Sequence, residues 1–246
     1  MLCVLRHGVL VDLWRENNMQ IVKAGYEILD PLNGEEILKK IERVARVCYK
    51  SEDLIGEGTA ERMVRSLIKR GHEAMLEHFS FSVKFVVDRG VSHEIVRHRV
   101  ASFAQESTRY CNYGNKGGEI TVIKPCYLED VDVDYVDAYG EVYLEPLEGK
   151  ESQLKHWVTS CRQAEKNYLG MLADGATPQE ARAVLPNSLK TEIVMTANLR
   201  EWRHFLKLRA VGTTGKPHPQ MSEVAVPLLK ELQEKIPVVF EDLIYG

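Results

Sequence analysis

Two periods of apolar and polar residues run along this chain, and the change from one to the other marks its elements. From Phe79 to Asp88 the sequence reads FSFSVKFVVD, with Phe81, Val83, Phe85 and Val87 two apart. A period of two sets these side chains on one face of a strand. Gln20 to Leu29 alternates well enough to predict another strand, and Leu189 to Thr196 a third. Elsewhere the spacing is helical. Asn33-Gly34-Glu35-Glu36 reads as a helix start, with Asn33 as cap and a Glu three residues on. Ile37, Leu38, Ile41, Ala45 and Cys48 then share one helical stripe. Further helices are expected over Ala60–Lys69 (closed by Gly71), Val91–His98, Ser152–Leu172 and Ser222–Lys235. Thr177-Pro178-Gln179-Glu180 starts another, with Thr177 as cap and Pro178 in first position. Asn198 caps the helix LREWRHFLKLR.

Strands and helices are mixed without a regular βαβ rhythm, and neither a G-x-G-x-x-G nor a Walker loop is present. The expected fold class is therefore α+β, an antiparallel or mixed sheet flanked by helices.

Length and composition narrow the function classes. The chain has 246 residues, 44% of them hydrophobic and 28% charged, with a net formal charge of −4. That suits one large domain with a sizeable core. A net-acidic chain argues against general affinity for nucleic acid or anionic membrane, while leaving room for a local basic pocket. No run approaches the roughly 18 apolar residues of a membrane span. The five cysteines (Cys3, Cys48, Cys111, Cys126, Cys161) show no paired spacing and read as reduced thiols of a cytosolic protein.

Two segments stand apart. Residues 1–18 lack the pattern of a signal peptide and read as a leader or extension, with disorder an open alternative. The domain is taken as 19–246. Tyr127–Gly149 carries eight acids and neither Lys nor Arg. It reads as a solvated insertion, since its spacing matches no calcium loop.

Candidate chemistry concentrates in RHRVASFAQESTRY, Arg97 to Tyr110. Consecutive helical residues point about 100° apart. Arg97, His98 and Arg99 therefore suit a large anionic ligand clasped from several sides. Gln105, Ser107 and Arg109 are two apart and would face one way in an extended segment. An amide, a hydroxyl and a guanidinium in a row suit a nucleotide. They equally suit a surface loop whose arginines pair with nearby carboxylates. In NLREWRHFLKLRA, Trp202, Phe205 and Leu206 form an apolar stripe whose next position is Arg209. A guanidinium there needs a partner, either an internal carboxylate or a bound ligand. Arg200 and His204 lie four apart on another face. HEIVRH is not a zinc-peptidase motif, because its histidines are five apart and Arg97 holds the ligand position. Ser107 lacks the strand–turn–helix elbow of a triad nucleophile.

RHRVASFAQESTRY resembles the RHR-x7-S motif of the flavin-dependent thymidylate synthases (ThyX), with Arg97-His98-Arg99, seven residues, then Ser107. The resemblance extends to GHEAMLEHFSFSVKF, to ARAVLP (Ala181 to Pro186) and to NLREWRHFLKLR, in that order. It implies a ThyX-like α+β subunit of a cytoplasmic homotetramer with shared active sites. It implies reductive methylation of dUMP to dTMP, with methylenetetrahydrofolate as carbon donor, FAD as redox cofactor and NADPH as reductant. No metal, nucleic acid or membrane is implied.

By position, Glu94, Arg97, Gln105, Glu106, Ser107, Thr108, Arg109, Arg182 and Arg209 would bind dUMP, Arg182 from another subunit. Ala74, Glu77, Arg97, His98, Arg99, Gln105, Asn198, Arg200 and His204 would contact FAD or its surroundings. His72 would lie near the folate or nicotinamide. Arg209 falls at the family's substrate-activating arginine. Asn198 also reads simply as a helix cap, and His72 as a structural histidine. Two departures stand out: Ala104 replaces a common Asn on the flavin side, and the turn VGTTGKPHPQ, with His218, is longer than in some relatives. The alternative from another class is a non-catalytic nucleotide- or RNA-binding module using the same arginines.

Overall fold

The computed structural model of the chain describes residues 19–115, 118–132 and 147–245. The leader at 1–18 and most of the acidic insertion, 133–146, lie outside the described residues. In chain order the main elements are strands β1 (Gln20–Val22) and β2 (Gly25–Ile28), helices α1 (Gly34–Tyr49) and α2 (Thr59–Lys69), strand β3 (Ser80–Asp88), helix α3 (Arg89–Ile95), and strands β4 (Ser102–Gln105) and β5 (Thr121–Ile123). There follow helices α4 (Gly149–Ala173) and α5 (Pro178–Ala181), strand β6 (Lys190–Asn198), and helices α6 (Leu199–Leu206), α7 (Pro219–Lys235) and α8 (Pro237–Phe240). The α+β expectation holds.

Within the span read as one domain, the residues group into two units. The first draws on Ala24–Gln105 and Thr191–Gly246. Its sheet has the order β2-β3-β6-β4. β2 runs antiparallel to β3 with Tyr26 opposite Phe85, and β4 antiparallel to β6 with Phe103 opposite Met195. Phe81, Val83, Phe85 and Val87 are all buried on one face of β3, as their alternation required. Trp202 of α6 stacks on Phe81 at 4.9 Å between ring centroids and meets Phe205 edge-on at 5.6 Å. Its indole N–H donates to the Phe81 carbonyl at 3.2 Å, so the buried ring leaves no polar group unmatched.

Among the described residues, the second unit draws on Met19–Lys23 and on the span 106–190. Here β1 and β5 pair in parallel. Met19, Ile120, Val122, Cys161, Tyr168, Ala181 and Leu189 form its core. The single strand expected over Gln20–Leu29 is therefore two strands, broken at Lys23-Ala24, and each joins a different sheet. Alternation reports which face a residue takes, and it is blind to a change of pairing partner.

Local cap chemistry settles several helix ends. Asn33 Oδ1 accepts the Glu36 N–H at 3.2 Å. Thr177 and Glu180 complete a reciprocal capping box. On α1 the stripe expected to end in Cys48 turns out differently. Ile37, Leu38, Ile41 and Ala45 are buried as read, but Cys48 is exposed, and Glu42 and Arg46, one turn apart, are buried beside the stripe. Arg46 donates to Glu42 Oε1 at 3.1 and 2.8 Å, and Thr59 Oγ1 to Glu42 Oε2 at 3.0 Å. A buried ion pair is tolerated where both partners are satisfied in this way.

Candidate active site

The helix that leads into the first half of the motif is placed by a buried carboxylate. Asp88 caps α3 by accepting the Val91 N–H at 2.7 Å, and its other oxygen accepts from Gln220 Nε2 at 2.5 Å. Burial raises the Asp88 pKa, against the pull of these hydrogen bonds. The helix then runs out through turns in which Arg97 N–H donates to Glu94 O and His98 N–H to Ile95 O. This exit separates the three basic residues, leaving Arg97 and Arg99 exposed while His98 turns inward and is buried. The clasp expected of all three is thus divided between two outward guanidiniums and one interior imidazole.

Around His98 the chain brings together residues more than 100 positions apart. Arg209 Nη1 donates to Glu94 Oε2 at 2.7 Å and Nη2 to the Glu94 carbonyl at 3.3 Å. Arg209 Nε donates to His98 Nε2 at 3.2 Å. On the other side of the ring, His98 Nδ1 lies 3.2 Å from Glu201 Oε1. His98 also packs edge-on against Phe205 and His204. Burial first, then the Arg209 charge and His204, lower the His98 pKa to about 4. The contact to Glu201 is therefore a hydrogen bond of a neutral imidazole at neutral pH. Burial raises the Glu201 pKa, with His204 opposing.

Arg209 does not sit where an uninterrupted α-helix would carry it. After Leu206 the backbone widens into a π-helical turn, Lys207–Val211, closed by Gly212 at φ 79°. Such widening is common at functional sites. A side chain on Gly212 would also meet the Pro217 ring at 2.9 Å, so glycine is required twice over. The turn leaves Arg209 at the edge of the core, 21% exposed, beside the Glu94 carboxylate. Of the two partners open to it on sequence grounds, the internal carboxylate is present.

The second half of the motif differs from expectation. β4 ends at Gln105, and Ser107 opens a turn in which its carbonyl accepts from Tyr110 and Cys111 N–H at 3.2 and 2.9 Å. Gln105, Ser107 and Arg109 therefore do not lie along one extended face. Gln105 Nε2 donates to Ser92 Oγ at 2.9 Å and Thr191 Oγ1 at 3.3 Å. Glu106 accepts from Tyr113 Oη at 2.9 Å and pairs with Lys190 at 3.3 Å. Arg182 Nη1 donates to the buried Thr108 Oγ1 at 3.3 Å. Arg109 is exposed, its guanidinium 5.4 Å from the Tyr110 ring centre.

Of the remaining assigned residues, Arg200 donates to Glu77 at 2.5 Å. Asn198 Oδ1 accepts the Glu201 N–H at 2.9 Å, which is the cap reading. His72, Ala74, Ala104 and His204 are exposed. Exposed Arg97, Arg99 and Arg200 with His204 make a donor set that fits a dinucleotide pyrophosphate in charge and chemistry. Glu201, Ser92, Thr191, Tyr113 and Lys190 were missed in the sequence. Only Glu201 carried a signal there, as the acid one residue before the apolar Trp202. A surface depression lined by Pro31, Lys39, Lys40, Arg43 and Phe79 contains none of the assigned residues.

Residues 32–238 match the family model described as "Thymidylate synthase complementing protein". A protein of Corynebacterium aurimucosum named flavin-dependent thymidylate synthase is 35% identical over 211 residues, 82% of this chain and 78% of the relative. One of the same name from Mycobacterium tuberculosis is 32% identical over 213 residues, covering 82% and 78%. Among solved structures, the UMP/dUMP methylase PolB from Streptomyces cacaoi bound with 5-Br dUMP aligns with a TM-score of 0.70 at 23% identity, over 91% of this chain and 96% of that one. The likeness to PolB shows a shared fold. The family-model match and the curated relatives both span most of the sequence, so the chain belongs to the thymidylate synthase complementing protein family, that of the flavin-dependent thymidylate synthases.

Proposed function

We propose that the protein is an FAD-dependent thymidylate synthase that converts dUMP to dTMP, with methylenetetrahydrofolate as carbon donor and NADPH as reductant. The observation that carries this reading is the Arg209–Glu94–His98 cluster, built in a chain of this family. In the reaction the uracil C5–H becomes C5–CH3. The carbon arrives at the methylene level, its bonds to the folate break so that tetrahydrofolate leaves, two electrons from NADPH reduce it to methyl, and the C5 proton leaves. FAD, when bound, supplies the two-electron carrier between NADPH and the one-carbon unit.

The protein's own part is binding and charge control. Arg209 stabilises negative charge on the uracil as the ring is activated. At the edge of a core a guanidinium acts in a lower dielectric than water and counts for more. Arg109 and Arg182 grip the phosphate, with Arg97, Gln105, Glu106, Ser107 and Thr108 completing the dUMP site. Arg97, Arg99, Asn198, Arg200 and His204, with Ala74, Glu77 and Gln105, hold FAD. His98 serves through its hold on Arg209. His72 stands on the folate or nicotinamide side. The assembly is a cytoplasmic homotetramer with shared sites. Val96, Val100 and Tyr110, exposed around the motif, are apolar surface that subunit contact would cover.

The test is direct. Purified protein should be yellow, release FAD on denaturation, and oxidise NADPH with formation of dTMP only when dUMP and methylenetetrahydrofolate are both present. Absence of dTMP with FAD added would overturn the proposal. Colourless protein that binds nucleotide or RNA would point to a binding module instead.

A further inference from the structure

Glu201 has no part in the reaction just described, yet it closes the hydrogen-bonded chain that ends on Arg209. It lies in the first turn of α6, 7% exposed, with its backbone N–H already given to Asn198. The Arg209 contact identifies the proton arrangement along these groups. An arginine Nε has only a hydrogen to offer. The 3.2 Å contact from Arg209 Nε therefore requires a lone pair on His98 Nε2. A neutral imidazole then carries its proton on Nδ1, and that N–H needs an acceptor. Glu201 Oε1, 3.2 Å away, is that acceptor. The depressed pKa of His98 keeps the ring neutral through the physiological range.

The same residues could be read as a cation site, since ligand atoms of His98, Glu201 and His204 lie within 4.8 Å of one another. A metal would need the His98 Nδ1 lone pair. Arg209 on Nε2 denies it, and the Arg209 charge repels a cation.

We propose that Glu201 is a positioning residue for Arg209, acting through His98: it holds the ring as the Nδ1–H tautomer, so that Nε2 receives Arg209 Nε–H and the guanidinium is aimed. This rests on the function proposed above. Of the five guanidinium N–H groups, Nε takes His98, Nη1 takes the Glu94 carboxylate and Nη2 the Glu94 carbonyl. One N–H on each terminal nitrogen remains for the anionic uracil. Without Glu201 the ring is released to the Nε2–H tautomer. Two N–H groups then face each other, and Arg209 swings off line.

The experiment combines nitrogen-15 histidine NMR of the holoenzyme with steady-state kinetics. His98 is assigned by its loss in His98→Asn. Wild type should show the Nδ1–H tautomer. Glu201→Ala should switch it to Nε2–H and lower kcat about tenfold or more, the worth of one misdirected hydrogen bond, with KM for dUMP little changed. Glu201→Gln, whose amide oxygen still accepts, should restore both tautomer and most turnover. An Nε2–H ring in wild type would overturn the proposal, as would an unchanged tautomer in Glu201→Ala, or a glutamine variant that keeps the tautomer but stays as slow as alanine. A cobalt(II) absorption band that depends on His98 would replace it with a cation site. Should Glu201→Ala fail to fold, the wild-type tautomer and the glutamine variant still decide. Wild type without dTMP formation would sink the functional reading alone, because the tautomer switch is read without turnover.

Discussion

Arg209 Nη1 lies 2.7 Å from Glu94 Oε2, joining two residues 115 positions apart at the edge of the core. The pair neutralises Arg209 in the resting protein and aims its guanidinium. Arg209→Ala is expected to keep the fold and bound FAD while lowering kcat about 100-fold or more, the usual cost of losing a donor aimed at developing charge. Circular dichroism, flavin content and dTMP formation check the three parts. Near-normal turnover would remove the assignment.

Arg109 is exposed and rests against Tyr110, so its removal should cost little stability. In its proposed role as a phosphate grip it would contribute to ground-state binding. Arg109→Ala should raise the dUMP dissociation constant about 10-fold to 100-fold, with a smaller change in kcat. Calorimetric titration with dUMP provides the measurement, and an unaltered constant would count against the role.

Trp202 is fully buried, stacked on Phe81, and hydrogen-bonded to its carbonyl. Trp202→Ala opens a large cavity and should destabilise the protein by about 3–5 kcal/mol. Trp202→Phe should cost less, since it keeps most of the ring contact. Urea unfolding of the two variants beside wild type tests the ranking.

The acid response should carry the signature of His98. Its folded pKa is about 4, below the ordinary histidine value of 6.5. The unfolded chain therefore binds more protons in this window, and the His98 contribution, complete above pH 6.5, is lost as pH falls toward 4. The raised carboxylates Asp88, Glu165 and Glu201 act in the opposite sense, because the folded state holds their protons more tightly. In His98→Asn, whose amide still donates to Glu201, melting temperature should fall less between pH 7 and pH 5 than in wild type. Parallel curves would show that His98 is charged in the folded protein.

The parts legible in advance are those whose causes lie within a few residues. A cap bonds a backbone N–H two or three positions on, so Asn33, Asn198 and Thr177 announced their helices. Strand faces followed from alternation, and Phe81 to Val87 are buried as read. The motif around Arg97 and Ser107 pointed to the family. Residue order alone therefore specifies the α+β content, most element positions and the family. Tertiary structure decided the rest: that β1 and β2 join different sheets, that Ser107 opens a turn, that Cys48 is exposed beside a buried Glu42–Arg46 pair, and that a π-helical turn carries Arg209 to Glu94. Contacts between residues 100 or more apart depend on how the intervening chain packs, and no local periodicity encodes that distance.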